Sequence, residues 1–285
     1  MAVLTLEEIN RRREFNYRRT PERRVNSIEE ARAFVEEVGF CHFWPIRGAE
    51  LPNLFHAIAG RARSVPMEHH DPDLSRCWGW KDNALDKRWW YYGKFLRRRA
   101  TFIAVKELPY FYALSENYGS LDDYLQEYAE GRMTAEAKAI YEAILEHGAL
   151  DTVRLRREAR MSAKSAKSSF ERALVELQVG LKVLPVGVAE AGAWRYAFVY
   201  ELLPRWFSEI PELARTIGRG EARRHITLRY LRMAIVATSA QVARLFGWAA
   251  AEVERAAVQL EEARKIERGV HVEGLRGQQM VVCAD

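Results

Sequence analysis

Between Thr134 and Tyr200 the apolar pattern switches once, from helical spacing to strand alternation, and this limits the possible folds more than any other stretch. Ala137, Ile140, Tyr141, Ile144 and Leu145 recur on one helical face, and Gly148 behind them predicts the helix stop. Asp151 is placed to cap a short second helix bearing Arg154, Arg156, Arg157 and Arg160. A third helix is expected from near Ser162 to Gly180. Ala166, Phe170, Ala173, Leu174 and Leu177 would face inward, with Lys164, Lys167, Ser168 and Glu171 towards solvent. Leu181 to Val188 and Trp194 to Tyr200 then read as a hairpin with its tip at Glu190–Ala193. Trp194, Tyr196, Phe198 and Tyr200 would alternate onto one of its faces. Helix, helix, helix and hairpin in that order predict a winged helix, the helix-turn-helix module with a β-wing.

The charge of this stretch points to nucleic acid. From Asp151 to Lys182 there are eight basic residues against four acidic ones, and the first turn of the third helix offers small hydroxyls beside lysines. In a helix-turn-helix that turn sits nearest the base edges. The residues expected to contact DNA are Arg154, Arg157, Ser162, Lys164, Ser165, Lys167, Ser168, Arg172 and, on the wing, Arg195. Over the whole chain the net charge is only +5, carried by 35 Arg and 9 Lys. Guanidinium forks suit phosphates better than ammonium groups do.

A second copy of the pattern follows a linker at Pro204–Pro211. It has a helix from about Glu221 to Val236, a capped helix at Thr238–Gln241 ending at Gly247, and a third helix Ala249–Arg264. A final hairpin pairs Ile266–Val272 with Met280–Cys283. Its third helix shows Glu252, Glu254, Glu261 and Glu262, which phosphates would repel, so this copy reads as structural or as a protein-contact unit. Upstream, Ser27 with Glu30 predicts a capping box for a helix ending at Gly39, and Leu51, Leu54, Phe55 and Ile58 predict a short second helix. Two short helices with a buried connector fit a degenerate first winged helix. The expected architecture is mainly α with small β-hairpins, three tandem winged-helix units and no C-terminal β-barrel. Its division is 1–133, 134–204 and 205–285.

Arg11 to Arg24 holds seven arginines and two glutamates, and reads either as an arm along a phosphate backbone or as a solvated helix face. Trp78, Trp80, Trp89, Trp90, Tyr91 and Tyr92, followed by Arg97–Arg99, put aromatics beside cations, as base stacking requires; the same rings can also fill a core. Glu68, His69, His70, Asp71 and Asp73 are metal-friendly side chains, but adjacent histidines in an extended loop point apart and no second cluster completes a shell, so no metal or cofactor is expected. Cys41, Cys77 and Cys283 are far apart, which argues against disulfides or structural zinc. No apolar run is long enough for a bilayer and the first residues lack a signal-peptide core, so a cytoplasmic protein is expected. Phosphate-cradling, dinucleotide, zinc-protease and serine-hydrolase motifs are absent from the sequence.

The step Val38-Gly39-Phe40-Cys41-His42-Phe43-Trp44, the tandem units and the aromatic stretch Trp78–Pro109 together resemble the AlkZ/YcaQ family of winged-helix DNA glycosylases, over roughly Ser27 to Cys283. That resemblance implies three winged-helix units, double-stranded DNA as partner, and a Gln–apolar–Gln or Gln–apolar–Asp motif that places the attacking water. In this chain the motif positions are His42, Phe43 and Trp44, of which only the apolar one matches. Members usually continue into a β-barrel, where this sequence ends at its third wing. The catalytic candidates the resemblance nominates are therefore His42, able to orient or deprotonate water, and Trp44, able to stack on a base. Two functions stay open: recognition of damaged bases in DNA, with their excision if a water can be activated, and non-enzymatic transcriptional regulation.

Overall fold

The computed structural model describes residues 4–67 and 70–283. One connectivity is used three times. After α1 (Leu6–Asn16), the first unit runs α2 (Ile28–Val38), β1 (Phe40–His42), α3 (Leu54–Ala59), α4 (Pro72–Asn83), β2 (Trp90–Lys94) and β3 (Ala100–Ala104). Helices α5 (Leu108–Tyr112) and α6 (Asp123–Ala129) lead to the central unit. It comprises α7 (Ala135–His147), β4 (Leu150–Asp151), α8 (Thr152–Glu158), α9 (Lys167–Val179), β5 (Val183–Ala189) and β6 (Ala197–Leu202). Helices α10 (Leu203–Trp206) and α11 (Glu209–Arg215) precede the third unit. That unit is α12 (Arg219–Ala234), β7 (Val236–Ala237), α13 (Ser239–Phe246), α14 (Ala250–Glu262), β8 (Ile266–Val270) and β9 (Gln279–Val282). In each unit the three strands form an antiparallel sheet in the order first, third, second, the connectivity of a winged helix. None of these three-stranded sheets closes into a barrel.

Local chemistry sets the boundaries. Thr134, Asp151 and Thr238 each accept hydrogen bonds from the first backbone N–H groups of the helix they precede. At Thr238 the box is complete, because Gln241 accepts in return from the Thr238 N–H at 2.7 Å. At Ser27 it is only half formed: the Glu30 carboxylate accepts instead from the Asn26 N–H at 2.8 Å. The third helix of the central unit begins later than expected, since Lys164–Ala166 form a 3-10 turn before α9 opens at Lys167. The stretch expected as a linker is helical. Pro204 sits in the first turn of α10, where a missing N–H costs nothing, and α11 buries Ile210, Pro211 and Ala214.

The first unit is complete rather than degenerate. Its third helix is α4, capped by Asp71, and its wing is the β2–β3 hairpin, which absorbs Trp90, Tyr91 and Tyr92 as buried residues. The packing follows two main cores. One lies in the central unit, joined by Tyr124 of α6 and by Met133, and includes Tyr141, Phe170, Leu177 and Tyr200. The other runs unbroken through the first and third units, with Leu181, Leu184 and Val186 of the central hairpin projecting into it. Glu107 ties these units further by pairing with His225 at 2.6 Å and with Arg229 at 3.3 Å. Gly39 (φ 83°) is required here, because a Cβ would come within 2.7 Å of the Arg229 Nε.

Helix α1 straps the ends of the molecule together. Ile9 is buried beside Val236 and Val272, and Arg13 Nε donates to the Ala234 carbonyl at 2.7 Å. The arginine run is largely consumed within the protein: Arg18 and Arg23 pair with Glu37, Arg19 with Glu14, and Arg11 and Arg12 with Glu8. It is a docked segment with internal partners, not a free phosphate-following arm. The acidic faces of the third unit are engaged in the same way, Glu252 with Arg223 and Glu254 with Arg268.

Candidate nucleic-acid interface

The cationic edge of the central unit arises from how α8 and α9 are joined. Asp151 accepts from the Val153 and Arg154 N–H groups, at 2.9 and 3.1 Å, which starts α8. Arg156 folds back to donate to the Met161 carbonyl at 3.2 Å and the Ala163 carbonyl at 3.0 Å, shaping the turn into α9. Arginine is spent there on structure, which leaves Arg154 and Arg157 exposed along α8 and Arg160 exposed just past its end. Helix α9 opens with no capping side chain, and Ser162, Lys164, Ser165, Lys167 and Ser168 around its start are all exposed. The Lys167 N–H is taken by the Lys164 carbonyl of the 3-10 turn, and the positive end of the helix dipole and two ammonium groups coincide there. Arg172 holds the Ser168 and Ser169 hydroxyls at 2.7 and 3.1 Å. Among the described residues only weak or local pairing competes, Lys167 with Glu171 at 3.9 Å and Arg157 with Glu158 at 2.8 Å.

The wing reaches the same region. A Cβ at Gly192 would lie 3.5 Å from Val153 of α8, so the hairpin tip abuts the start of that helix. Arg195 is exposed and paired with Glu190, and Trp194 is 91% exposed. Three of the four aromatics share a face as expected, with ring centroids 5.5 Å apart for Tyr196 and Phe198 and 6.2 Å for Phe198 and Tyr200, but Trp194 falls outside the ladder because β6 starts only at Ala197. Trp194 stands free at the tip, Tyr196 turns towards the first unit, and Tyr200 is buried.

The motif positions of the first unit have a different character. His42 ends β1 opposite Thr101, is 1% exposed, and neither ring nitrogen has a well-formed hydrogen bond. Burial lowers its pKa to about 4, with the Arg97 and Arg99 charges adding to the effect and the Ala100 carbonyl opposing it. It is a neutral imidazole inside the sheet. Phe43 is buried, with Trp44 at 4.1 Å and Trp78 at 5.2 Å between ring centroids. Trp44 is half-buried against Phe55 and Trp78. His42 and Trp44 therefore do not form a joint solvent-facing pair.

Sequence reasoning missed the residue next to them. Lys81 of α4 is wholly buried, its Nζ 2.6 Å from Asp82 and donating to the Tyr196 hydroxyl at 3.0 Å; that hydroxyl donates to Asp82 at 2.9 Å. The ammonium lies 4.2 Å from the Trp78 ring centre and 4.4 Å from that of Phe198, with Phe43, Tyr92 and Tyr196 slightly farther off. This aromatic cage around a cation is completed by the central wing. Burial lowers the Lys81 pKa, and Asp82 counteracts that. Trp78 and Tyr196, each 41% exposed, are the rings of the cage that solvent reaches. The sequence signal for it was Lys81 three residues after Trp78, one helical step along the same face.

The metal-friendly stretch is occupied otherwise. Asp71 and Asp73 both bind Arg63, and no metal-holding cluster occurs among the described residues; Glu68 and His69 lie outside them. Cys41 and Cys77 are buried free thiols and Cys283 is half-buried. No helix among the described residues is long and apolar enough to cross a membrane.

A model of the AlkZ-related family matches residues 25–247, from the lead-in of α2 to the end of α13. Among solved structures, the DNA glycosylase AlkZ of Streptomyces sahachiroi superposes with a TM-score of 0.56 at 15% identity, covering 95% of this chain and 69% of that one. At that identity the likeness concerns the fold. No curated protein matches the sequence.

Proposed function

The chain belongs to the AlkZ-related family, and from that premise we propose that it is a cytoplasmic protein that binds double-stranded DNA through its central unit and examines bases with the aromatic side of its first. The observation that carries this reading is the start of α9, where Lys164, Ser165, Lys167 and Ser168 stand exposed at a helix end with no acidic or capping side chain. Phosphates are held there and by Arg154, Arg157, Arg172 and Arg195; Ser162 and Ser165 lie within reach of base edges. The working division is 1–133 for inspection, 134–204 for grip and 205–285 for support.

The solved neighbour's name is that of a glycosylase, and excision is the narrower reading for this chain. Removing a base by water attack needs an acceptor aimed at the water. His42 is neutral but sealed in the sheet, and Trp44 can only donate. Recognition without base removal is thus the reading favoured here, and it keeps a transcriptional regulator in play as the second one.

Duplex binding followed by fluorescence anisotropy over a range of salt tests the grip. Lys164→Ala with Lys167→Ala should weaken binding and lower the slope of log K against log salt by roughly 1.8, two phosphates' worth. An unchanged slope means that α9 does not hold DNA. Incubation with alkylated duplex should yield no abasic product; a product that His42→Ala abolishes would overturn recognition without excision. Tight preference for one undamaged palindrome would favour the regulator.

A further inference from the structure

The three units meet around an apolar cleft that neither the α8–α9 edge nor the Lys81 cage includes. Its volume is about 380 Å³, within the range of small-molecule sites. The first unit contributes the wing turn with Phe95, Arg97 and Arg98; the central unit contributes Val179 at the end of α9; the third contributes Arg244 to Trp248. Phe246 backs Trp248 in a stacked pair at 4.6 Å, which holds the indole in place. No carboxylate lines the cleft, while Arg97, Arg98 and Arg244 are all exposed at it. Arg97 is partly committed, donating to the Arg47 carbonyl at 3.2 Å, and Arg98 and Arg244 enter no ion pair among the described residues.

The turn that carries two of these arginines is a costly place for them. Arg97 and Arg98 both have left-handed backbone, φ 53° and 57°, at adjacent positions of the β2–β3 hairpin. Such positions favour Asn and Gly, and side chains with a Cβ lower stability there. Left-handed arginines also occur at Arg18, Arg88, Arg160, Arg195 and Arg264, and of all of them the adjacent pair Arg97 and Arg98 lines the cleft.

We propose that this cleft binds an unpaired nucleotide, its base against Trp248 and Phe95 and its phosphate on Arg98 and Arg244. An aromatic wall accepts the π-face of any base, and guanidinium forks match phosphate oxygens. A paired base cannot enter, because its faces are stacked in the duplex. The inference rests on the DNA-binding reading for its source of nucleotides, but the cleft can be tested without DNA.

Two labelled duplexes, one fully paired and one interrupted by a short run of unpaired thymidines, are titrated with the full chain, with Arg98→Ser plus Arg244→Ser, with Trp248→Ala, and with Lys164→Ala plus Lys167→Ala. The full chain should prefer the interrupted duplex by about fivefold or more. The two cleft variants should lose that preference while binding the paired duplex within about twofold of the full chain, and the α9 variant should weaken both duplexes alike. Thymidine 5′-monophosphate alone should bind saturably to the full chain, not to the folded arginine variant, and inorganic phosphate should displace it only at much higher concentration than the nucleotide's own. If the monophosphate binds and neither duplex does, the DNA-binding reading falls and the cleft stands as a site for free nucleotides. The proposal is overturned if the monophosphate does not saturate the full chain. It also fails if the preference survives in both cleft variants, or if the arginine variant weakens both duplexes equally.

Discussion

Helices α9 and α4 hold the same place in the same connectivity, and they bury the same row of positions. In α9 that row includes Phe170, Ala173 and Leu177, whereas in α4 it is Leu74, Cys77 and Lys81. The third unit repeats the α9 solution with Val253, Ala256 and Leu260 on α14. So one unit in three places a lysine where its siblings place a leucine. A buried ammonium is tolerated only with partners, and here Asp82, Tyr196 and the faces of Trp78 and Phe198 supply them. The central unit turns its cations outward, towards solvent; the first turns one inward and shows tryptophan to solvent. Shared connectivity therefore leaves the chemistry of each unit undetermined.

The largest test of this contrast is in the cores. Phe170→Ala should destabilise by about 3–5 kcal/mol, and Leu74→Ala by about 2–5 kcal/mol. The damage should spread differently, because the central core is self-contained and the first unit's core continues into the third. Amide hydrogen exchange should show Phe170→Ala loosening α6 to β6, and Leu74→Ala loosening α2 to β3 together with α12 to β9. If both variants loosen the same residues, the molecule has one core and the contrast between grip and inspection loses its structural basis.

How legible all this was in the sequence depends on where the determining contacts lie. The central unit could be read almost whole, because its caps at Thr134 and Asp151, its stop at Gly148 and its inward row are local. Helix α4 was not, since hydropathy reads Lys81 as outward-facing and Trp78-Gly79-Trp80 as an irregular aromatic run; two of the groups that enclose Lys81, Tyr196 and Phe198, are distant in sequence. His42 failed for the same reason: its burial is decided by pairing with Thr101 across β3. The prolines near residues 204–211 suggested a break, though a proline in a first turn begins a helix as readily as it ends one. The exposed contacts at α9 were predictable as exposed, while the cleft at Trp248 was not, being assembled from three units.

A smaller effect separates a lysine kept for packing from one kept for its charge. Lys81→Met preserves length and apolar volume, and Asp82, still partly exposed, can be solvated. Stability at pH 7 should stay within about 1 kcal/mol of the parent, because the lost ion pair and the lost burial penalty oppose each other. The pH dependence carries the sign. Burial lowers the folded pKa of Lys81, so the unfolded chain binds its proton first, and the parent gains stability as pH rises from that lowered value towards 10.5. The methionine variant lacks this gain. Denaturant titrations should show it losing ground to the parent between neutral and alkaline pH. Parallel curves would mean that Lys81 is solvated in the native state and the cage is open.

The smallest effect concerns α14, whose position matches that of α9 and whose surface charge is opposite. Glu254 and Glu261 both engage Arg268 from exposed positions, and such pairs contribute about 0–1 kcal/mol. Glu254→Ala with Glu261→Ala should therefore shift the unfolding midpoint little. It should also raise affinity for a paired duplex by no more than about threefold, the screened influence of two distant charges. A tenfold gain would have another meaning, that α14 already faces the DNA and its carboxylates hold it off. In that case the third unit would be a second reader kept weak by its charge, and the division into one gripping unit and two others would have to be redrawn with α9 and α14 as a pair.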